Sequence, residues 1–148
     1  MEIKIYTDGA CIGNPGPGGW AAVLLIEGNK KEIFGGEKLT TNNRMELTSA
    51  IKALEYCIEK EGKQATLKQI EIYTDSKYVK DGITTWIKAW ERNNWKTADK
   101  KNVKNVDLWK KLKELTKSNQ IKWNWVKGHS KDPMNDLADE LAKKATPI

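Results

Sequence analysis

Ile3-Lys4-Ile5-Tyr6-Thr7-Asp8, near the start of the chain, and Ile70-Glu71-Ile72-Tyr73-Thr74-Asp75, at its middle, agree at five of six positions. In each copy residues facing one side alternate with residues facing the other, the period of a β-strand. Each copy ends in an aspartate where the alternation stops. Between them, Gly13-Asn14-Pro15-Gly16-Pro17-Gly18-Gly19 is a turn-dense loop. Alternating stretches over 20–27 and 31–38, around a turn at Gly28-Asn29, predict an antiparallel meander. A helix over 43–61, with Leu47, Ile51, Leu54 and Ile58 as its apolar stripe, then carries the chain back. That crossover lets the second copy lie parallel to the first. The two aspartates would project from one sheet edge, one strand spacing (about 4.7–4.9 Å) apart.

The rest of the chain fills in the same plan. A helical stretch opens near Ser76, and residues 80–104 mix short helical pieces with polar loop. A helix over 107–118, a strand over 120–126 and a closing helix over 133–145 follow, the last with Pro133 at a favoured first-turn position. The order predicts an α/β fold with a mixed, partly parallel sheet covered by helices. With 148 residues, 39% of them hydrophobic, the chain suits one folded domain, 1–148, rather than a disordered protein. No apolar run is long enough for a membrane span, and two cysteines, Cys11 and Cys57, make no disulfide framework. A reducing, cytoplasmic location is therefore expected.

Two carboxylates brought together need a cation, a shared proton or a basic partner. Taken singly, Asp75 could instead cap the next helix and Asp8 could bond the Gly9 turn. Glu46 shares a helical angle with Ala50, Ala53 and Cys57, where the helix comes close to the sheet. The closing helix offers Asp136, Asp139 and Glu140, and spacing does not choose among them. His129, the only histidine, lies in a loop and becomes a proton carrier only if it stands near these acids. Carboxylates without a Cys/His ligand set favour Mg2+ or Mn2+ over zinc, and such sites suit two-metal phosphodiester chemistry.

The net charge of +6 is unevenly placed. Residues 86–127 hold 12 basic and 4 acidic residues, while the segments on either side each carry a net of −1. Within that segment Lys96, Lys100 and Lys101 stand among Trp86, Trp90 and Trp95. Trp86 and Trp90 are spaced for one helix face, so core packing is expected of at least one; Trp95 is the expected exposed contact. Cations interleaved with aromatics, with no base-reading motif, predict salt-dependent nucleic-acid binding that is largely blind to sequence.

Together these residues resemble type 1, bacterial-type ribonuclease H. The marks are Thr7-Asp8-Gly9, the glycine-rich loop 13–19, Thr41-Asn42-Asn43-Arg44-Met45-Glu46-Leu47, Thr74-Asp75-Ser76, Trp95-Lys96-Thr97-Ala98-Asp99, Val103-Lys104-Asn105-Val106-Asp107, Val126-Lys127-Gly128-His129 and Asp139-Glu140-Leu141-Ala142. The resemblance spans nearly the whole chain. It implies a five-stranded mixed sheet, an antiparallel meander plus parallel strands, flanked by helices on both faces. It implies hydrolysis of the RNA strand of RNA/DNA hybrids with two Mg2+ (Mn2+ as a substitute), leaving 5′-phosphate and 3′-hydroxyl ends. Asp8, Glu46, Asp75 and Asp139 match the metal-binding carboxylates, and His129 matches a residue that assists proton transfer or product departure. Residues 86–105 match a basic protrusion that grips the DNA strand, through Trp86, Trp95, Lys96, Lys100 and Lys101. Asn14, Asn42 and Asn43 match positions facing the hybrid's minor groove, and Thr41 with Asn105 match a DNA-phosphate pocket. Where relatives often carry Arg two residues before that Thr, this chain has Leu39. The expected protein is a monomer with no obligate protein partner and no membrane association, and no separate hybrid-binding domain is expected before Met1.

Overall fold

The computed structural model describes residues 2–61, 69–117, 120–126 and 132–147. Its five strands are β1 (Glu2–Cys11), β2 (Gly16–Ile26), β3 (Asn29–Thr40), β4 (Gln69–Thr74) and β5 (Ile121–Trp125). They form one sheet in the order β3-β2-β1-β4-β5. The meander β1-β2-β3 is antiparallel, whereas β4 and β5 run parallel to β1. The sequence repeat is also the register: Ile3 lies opposite Ile70, Ile5 opposite Ile72 and Thr7 opposite Thr74. Matching residues of the two copies therefore share one face of the sheet.

The helices are α1 (Asn42–Glu61), α2 (Lys77–Asp81), α3 (Ile87–Arg92), α4 (Val106–Lys117) and α5 (Pro133–Ala145), with a π-helical turn, Gly82–Trp86, joining α2 to α3. On one face of the sheet Ile3, Ile5, Ala22, Leu24, Ile70 and Ile72 are buried against Leu47, Ile51 and Leu54 of α1. Behind α1, Trp109 and Leu112 of α4 complete that core. The opposite face buries Tyr6 and Val23 against Ala138 of α5, with Leu137 and Leu141 at its margin. The alternation in β1 thus feeds two cores, one on each face. Among the described residues no helix is long and apolar enough to cross a membrane.

Two local details depart from the sequence-based expectation. The β2–β3 turn is Glu27-Gly28, not Gly28-Asn29, because Asn29 already pairs with Ile26. Both turn residues have positive φ, 50° and 83°, as a two-residue hairpin turn with right-handed strand twist requires. The strand β1 does not stop at Asp8: it continues to Cys11 along β2, and Asp8 stands opposite Ala21. What ends there is the pairing with β4, whose last rung is Thr7 with Thr74.

Candidate active site

Where β1 and β4 part, three acids converge. Asp8, Glu46 and Asp75 each place a carboxylate oxygen within 4.8 Å of the others. Asp8 and Glu46 are each only 4% exposed. The local alternatives for the two aspartates are taken by other groups. Ser76, not Asp75, caps α2, accepting from the Val79 N–H at 3.2 Å. The Gly9 N–H donates to Glu46 Oε1 at 2.5 Å rather than to Asp8. Glycine at position 9 makes that approach possible, since a Cβ there would lie 2.5 Å from the Glu46 backbone nitrogen.

Burial pushes the Asp8 carboxyl up to about 8, helped by its hydrogen bond with the Asp139 carboxyl and by the charge of Asp75. Burial, followed by the charges of Asp8 and Asp75, also raises Glu46 well above the usual carboxylate range. Among the described residues Glu46 Oε2 has no hydrogen-bond partner. An all-oxygen donor set, an orphaned buried carboxylate oxygen and mutual repulsion together fit a hard divalent cation.

The acids line a cavity of about 460 Å³ that also meets Asn42, Asn43, Tyr78, Asn135 and Asp136. Of the three candidates on α5, Asp139 reaches Asp8 and is also paired with Lys143 at 3.0 Å. Asp136 borders the cavity, and exposed Glu140 pairs with Lys144 at 3.4 Å. His129 lies outside the described residues.

The expected substrate-binding residues fall into three groups. Asn14, Asn42 and Asn43 are all exposed near the cavity mouth, and Asn14 Oδ1 accepts from the Asn42 N–H at 2.8 Å. Thr41 and Asn105 meet through Arg44, whose backbone N–H donates to Thr41 Oγ1 at 3.2 Å and whose guanidinium donates to Asn105 Oδ1 at 3.3 Å. Lys96, Lys100 and Lys101 are exposed on the loop after α3. That loop bonds to itself, with Thr97 N–H donating to the Lys101 carbonyl at 2.7 Å and Val103 N–H to the Trp95 carbonyl at 3.0 Å.

The tryptophans reverse one expectation. Of Trp86, Trp90 and Trp95, Trp86 is the exposed one, at 37%, whereas Trp95 is half-buried and packed against the core. Trp95 adopts φ 60°, and its N–H donates to the Trp90 carbonyl at 2.7 Å. That backbone reversal folds its indole back to 6.3 Å from the Trp90 ring. Alternation of polar neighbours around Trp95 could not reveal such a reversal.

Two further residues were not singled out from the sequence. Asn135 borders the cavity, is 4% exposed, and its Oδ1 has no hydrogen-bond partner among the described residues. Its place four residues before Asp139, on the same helix face, was the available signal. Arg44 pairs with Asp107 of α4, a contact between distant parts of the chain that leaves no local signal in the sequence.

A family model described as RNase H matches residues 1–146. The chain belongs to the ribonuclease H family. The "Ribonuclease H" of Maricaulis maris (strain MCS10) is 56% identical over 142 residues, covering 96% of this chain and 91% of that protein. Among solved ribonuclease H structures, LC9-RNase H1, a type 1 RNase H with the type 2 active-site motif, superposes with a TM-score of 0.84 at 30% identity. That match covers 98% of this chain and 72% of the other. LC11-RNase H1, solved in complex with RNA/DNA hybrid, gives a TM-score of 0.75 at 25% identity, covering 97% of this chain and 96% of the other.

Proposed function

We propose that this chain hydrolyses the RNA strand of RNA/DNA hybrids, using two Mg2+ (or Mn2+) and leaving 5′-phosphate and 3′-hydroxyl ends. The observation that carries the reading is the convergence of Asp8, Glu46 and Asp75 with Asp139 on one cavity, in a chain of the ribonuclease H family. The hybrid bound by LC11-RNase H1 supports the substrate.

Asp8 would be shared between two ions, with Glu46 and Asp75 completing one site and Asp139 the other. When bound, the ions supply activation of the attacking water and charge stabilisation at the departing 3′ oxygen. The protein's own groups do the rest. The Gly9 N–H turns Glu46 toward the cluster, and burial keeps the Asp8 and Glu46 carboxylates short of competing water. Asn14, Asn42 and Asn43 face the minor groove, and Thr41 with Asn105 receives a DNA phosphate. Trp86 and Trp95, which both pack on Trp90, and Lys96, Lys100 and Lys101 hold the DNA strand, and His129 assists proton transfer or product departure. The working unit is a single domain over 1–148, a cytoplasmic monomer with no obligate protein partner.

Substrate choice tests this reading. With Mg2+, the RNA strand of a hybrid is cut, while duplex DNA, duplex RNA and a four-way DNA junction are not. Activity confined to junctions, or tight hybrid binding without cleavage, would overturn it.

The basic loop carries a separate prediction. Replacing Lys96, Lys100 and Lys101 together by Ala lowers the slope of log affinity against log salt by roughly 2–3, since each lost phosphate contact removes about 0.7–0.9. The affinity loss is largest at low salt, where counterion release contributes most. Metal affinity, read by calorimetry without nucleic acid, stays within about twofold, because exposed charges beyond a Debye length of about 10 Å are screened.

A further inference from the structure

Asp139 is divided between two partners. Its carboxyl hydrogen-bonds Asp8 on the side of the site, and its Oδ2 accepts from Lys143 Nζ at 3.0 Å. Asp8, Glu46 and Asp75 bring carboxylate oxygens within 4.8 Å of one another, and Asp139 is not part of that group. Three acids are thus gathered, while the fourth is held by a cation of its own helix.

The pair is built into α5. An acid four residues before a base is the favourable order on a helix, and Lys143 lies in the last turn, where the carbonyl end of the helix favours cations. The Lys143 side chain is 68% exposed and that of Asp139 46%, so the pair adds little to folding. The hydrogen bond and charge of Asp139 raise the Lys143 ammonium above its ordinary value, and the charge of Asp8 contributes in the same direction. Lys143 therefore senses the acid cluster, not Asp139 alone. The helix itself cannot slide to change this. A Cβ at Gly19 would lie 2.1 Å from the Ala142 carbonyl oxygen, and one at Gly36 would lie 2.2 Å from that of Ala145. This end of α5 rests directly on the backbones of β2 and β3, so Asp139 changes partner by side-chain rotation. Lys144, the next residue, pairs instead with Glu140 at 3.4 Å, and Glu140 does not line the cavity.

We infer that Lys143 is a tethered cation that competes with the second divalent ion for Asp139. The ion held by Asp8, Glu46 and Asp75 then binds first, and the ion that shares Asp139 binds weakly. The inference rests on the proposed assignment of Asp139 to a second ion. A divalent ion on Asp139 must displace Nζ or stand close to it, and like charges at that range repel even in water.

Calorimetric titration of the full chain with Mg2+, without nucleic acid, tests this. Lys143→Met tightens the weaker of two binding events about fivefold, the scale of one unit charge removed from about 6 Å with salt screening. The stronger event stays within about twofold, and Asp139→Asn abolishes the weaker one. Lys143→Arg, which keeps the cation, stays within about twofold of wild type. Lys144→Met, which loses the same net charge, also does. Added Mg2+ raises the Tm of Lys143→Met further than that of wild type. If wild type takes up one ion only, Lys143→Met brings a second into range, and a variant that still takes up one overturns the inference. So would unchanged or weaker binding in Lys143→Met, an equal gain in Lys144→Met, or a weaker event that survives Asp139→Asn. Should methionine prevent folding, Lys143→Gln reads the same change. A wild-type protein that does not cut hybrids defeats the proposed function instead; the titration needs no substrate, so the two failures are distinct.

Discussion

Asp8→Asn is expected to reduce hybrid cleavage by at least about 10³-fold, roughly 4 kcal/mol of transition-state stabilisation, with hybrid binding retained. Asp8 touches every other acid of the cluster through hydrogen bond or charge, so no neighbour can replace it as the shared ligand. The same variant should be more stable than wild type when metal is absent. An unfolded Asp8 titrates near 3.8, and the folded carboxyl keeps its proton up to about 8. Because the folded value is the higher one, stability is fully present below 3.8, falls as pH rises toward 8, and levels off above it. Asparagine removes that slope. In chelator, Asp8→Asn should gain about 1–3 kcal/mol over wild type at pH 8 and almost nothing at pH 4, read as Tm. Added Mg2+ should raise the wild-type Tm far more than the variant's. Equal Tm profiles across this range would show that the acids do not burden the metal-free fold.

Gly9→Ala is the second large effect. The new Cβ would lie 2.5 Å from the Glu46 nitrogen and 2.6 Å from the Met45 carbonyl carbon, both backbone atoms that no side-chain rotation can move. β1 and α1 would have to separate along a seam where Met45 and Leu47 are fully buried. Overpacking of this kind costs about 2–3 kcal/mol, or a Tm lower by roughly 5–10 °C. The separation also draws Glu46 from Asp8, so kcat should fall about 10²-fold even below the Tm, as a displacement of about 1 Å can do. Gly28→Ala serves as the comparison. Its Cβ meets nothing within 4 Å, and φ 83° alone costs it about 1 kcal/mol with activity unchanged. Equal behaviour of the two variants would remove the seam from the account.

The fold was legible because its information is periodic and local. The repeat at 3–8 and 70–75 specifies two strands, and their rung-by-rung pairing follows from identical face patterns. Asp8, Glu46 and Asp75 could be gathered for the same reason, since each sits at a countable position on a strand or helix. What could not be counted was missed or left open. Asp136, Asp139 and Glu140 differ only in how α5 rotates on the sheet, which depends on Tyr6, Val23 and Ala138 packing together. Trp95 turned inward because two consecutive residues, Asn94 and Trp95, are left-handed, and no pattern of polarity encodes that. Arg44 and Asp107 are separated by more than sixty residues, and only the packing of α4 against α1 makes them a pair.

The most direct measurement of the central claim is cleavage of a hybrid with the RNA labelled on one strand and the DNA on the other, with and without Mg2+. The account predicts Mg2+-dependent cuts in the RNA alone, with 5′-phosphate and 3′-hydroxyl ends, abolished in Asp8→Asn. Cutting of the DNA strand, or RNA cleavage that survives both chelator and Asp8→Asn, would contradict it.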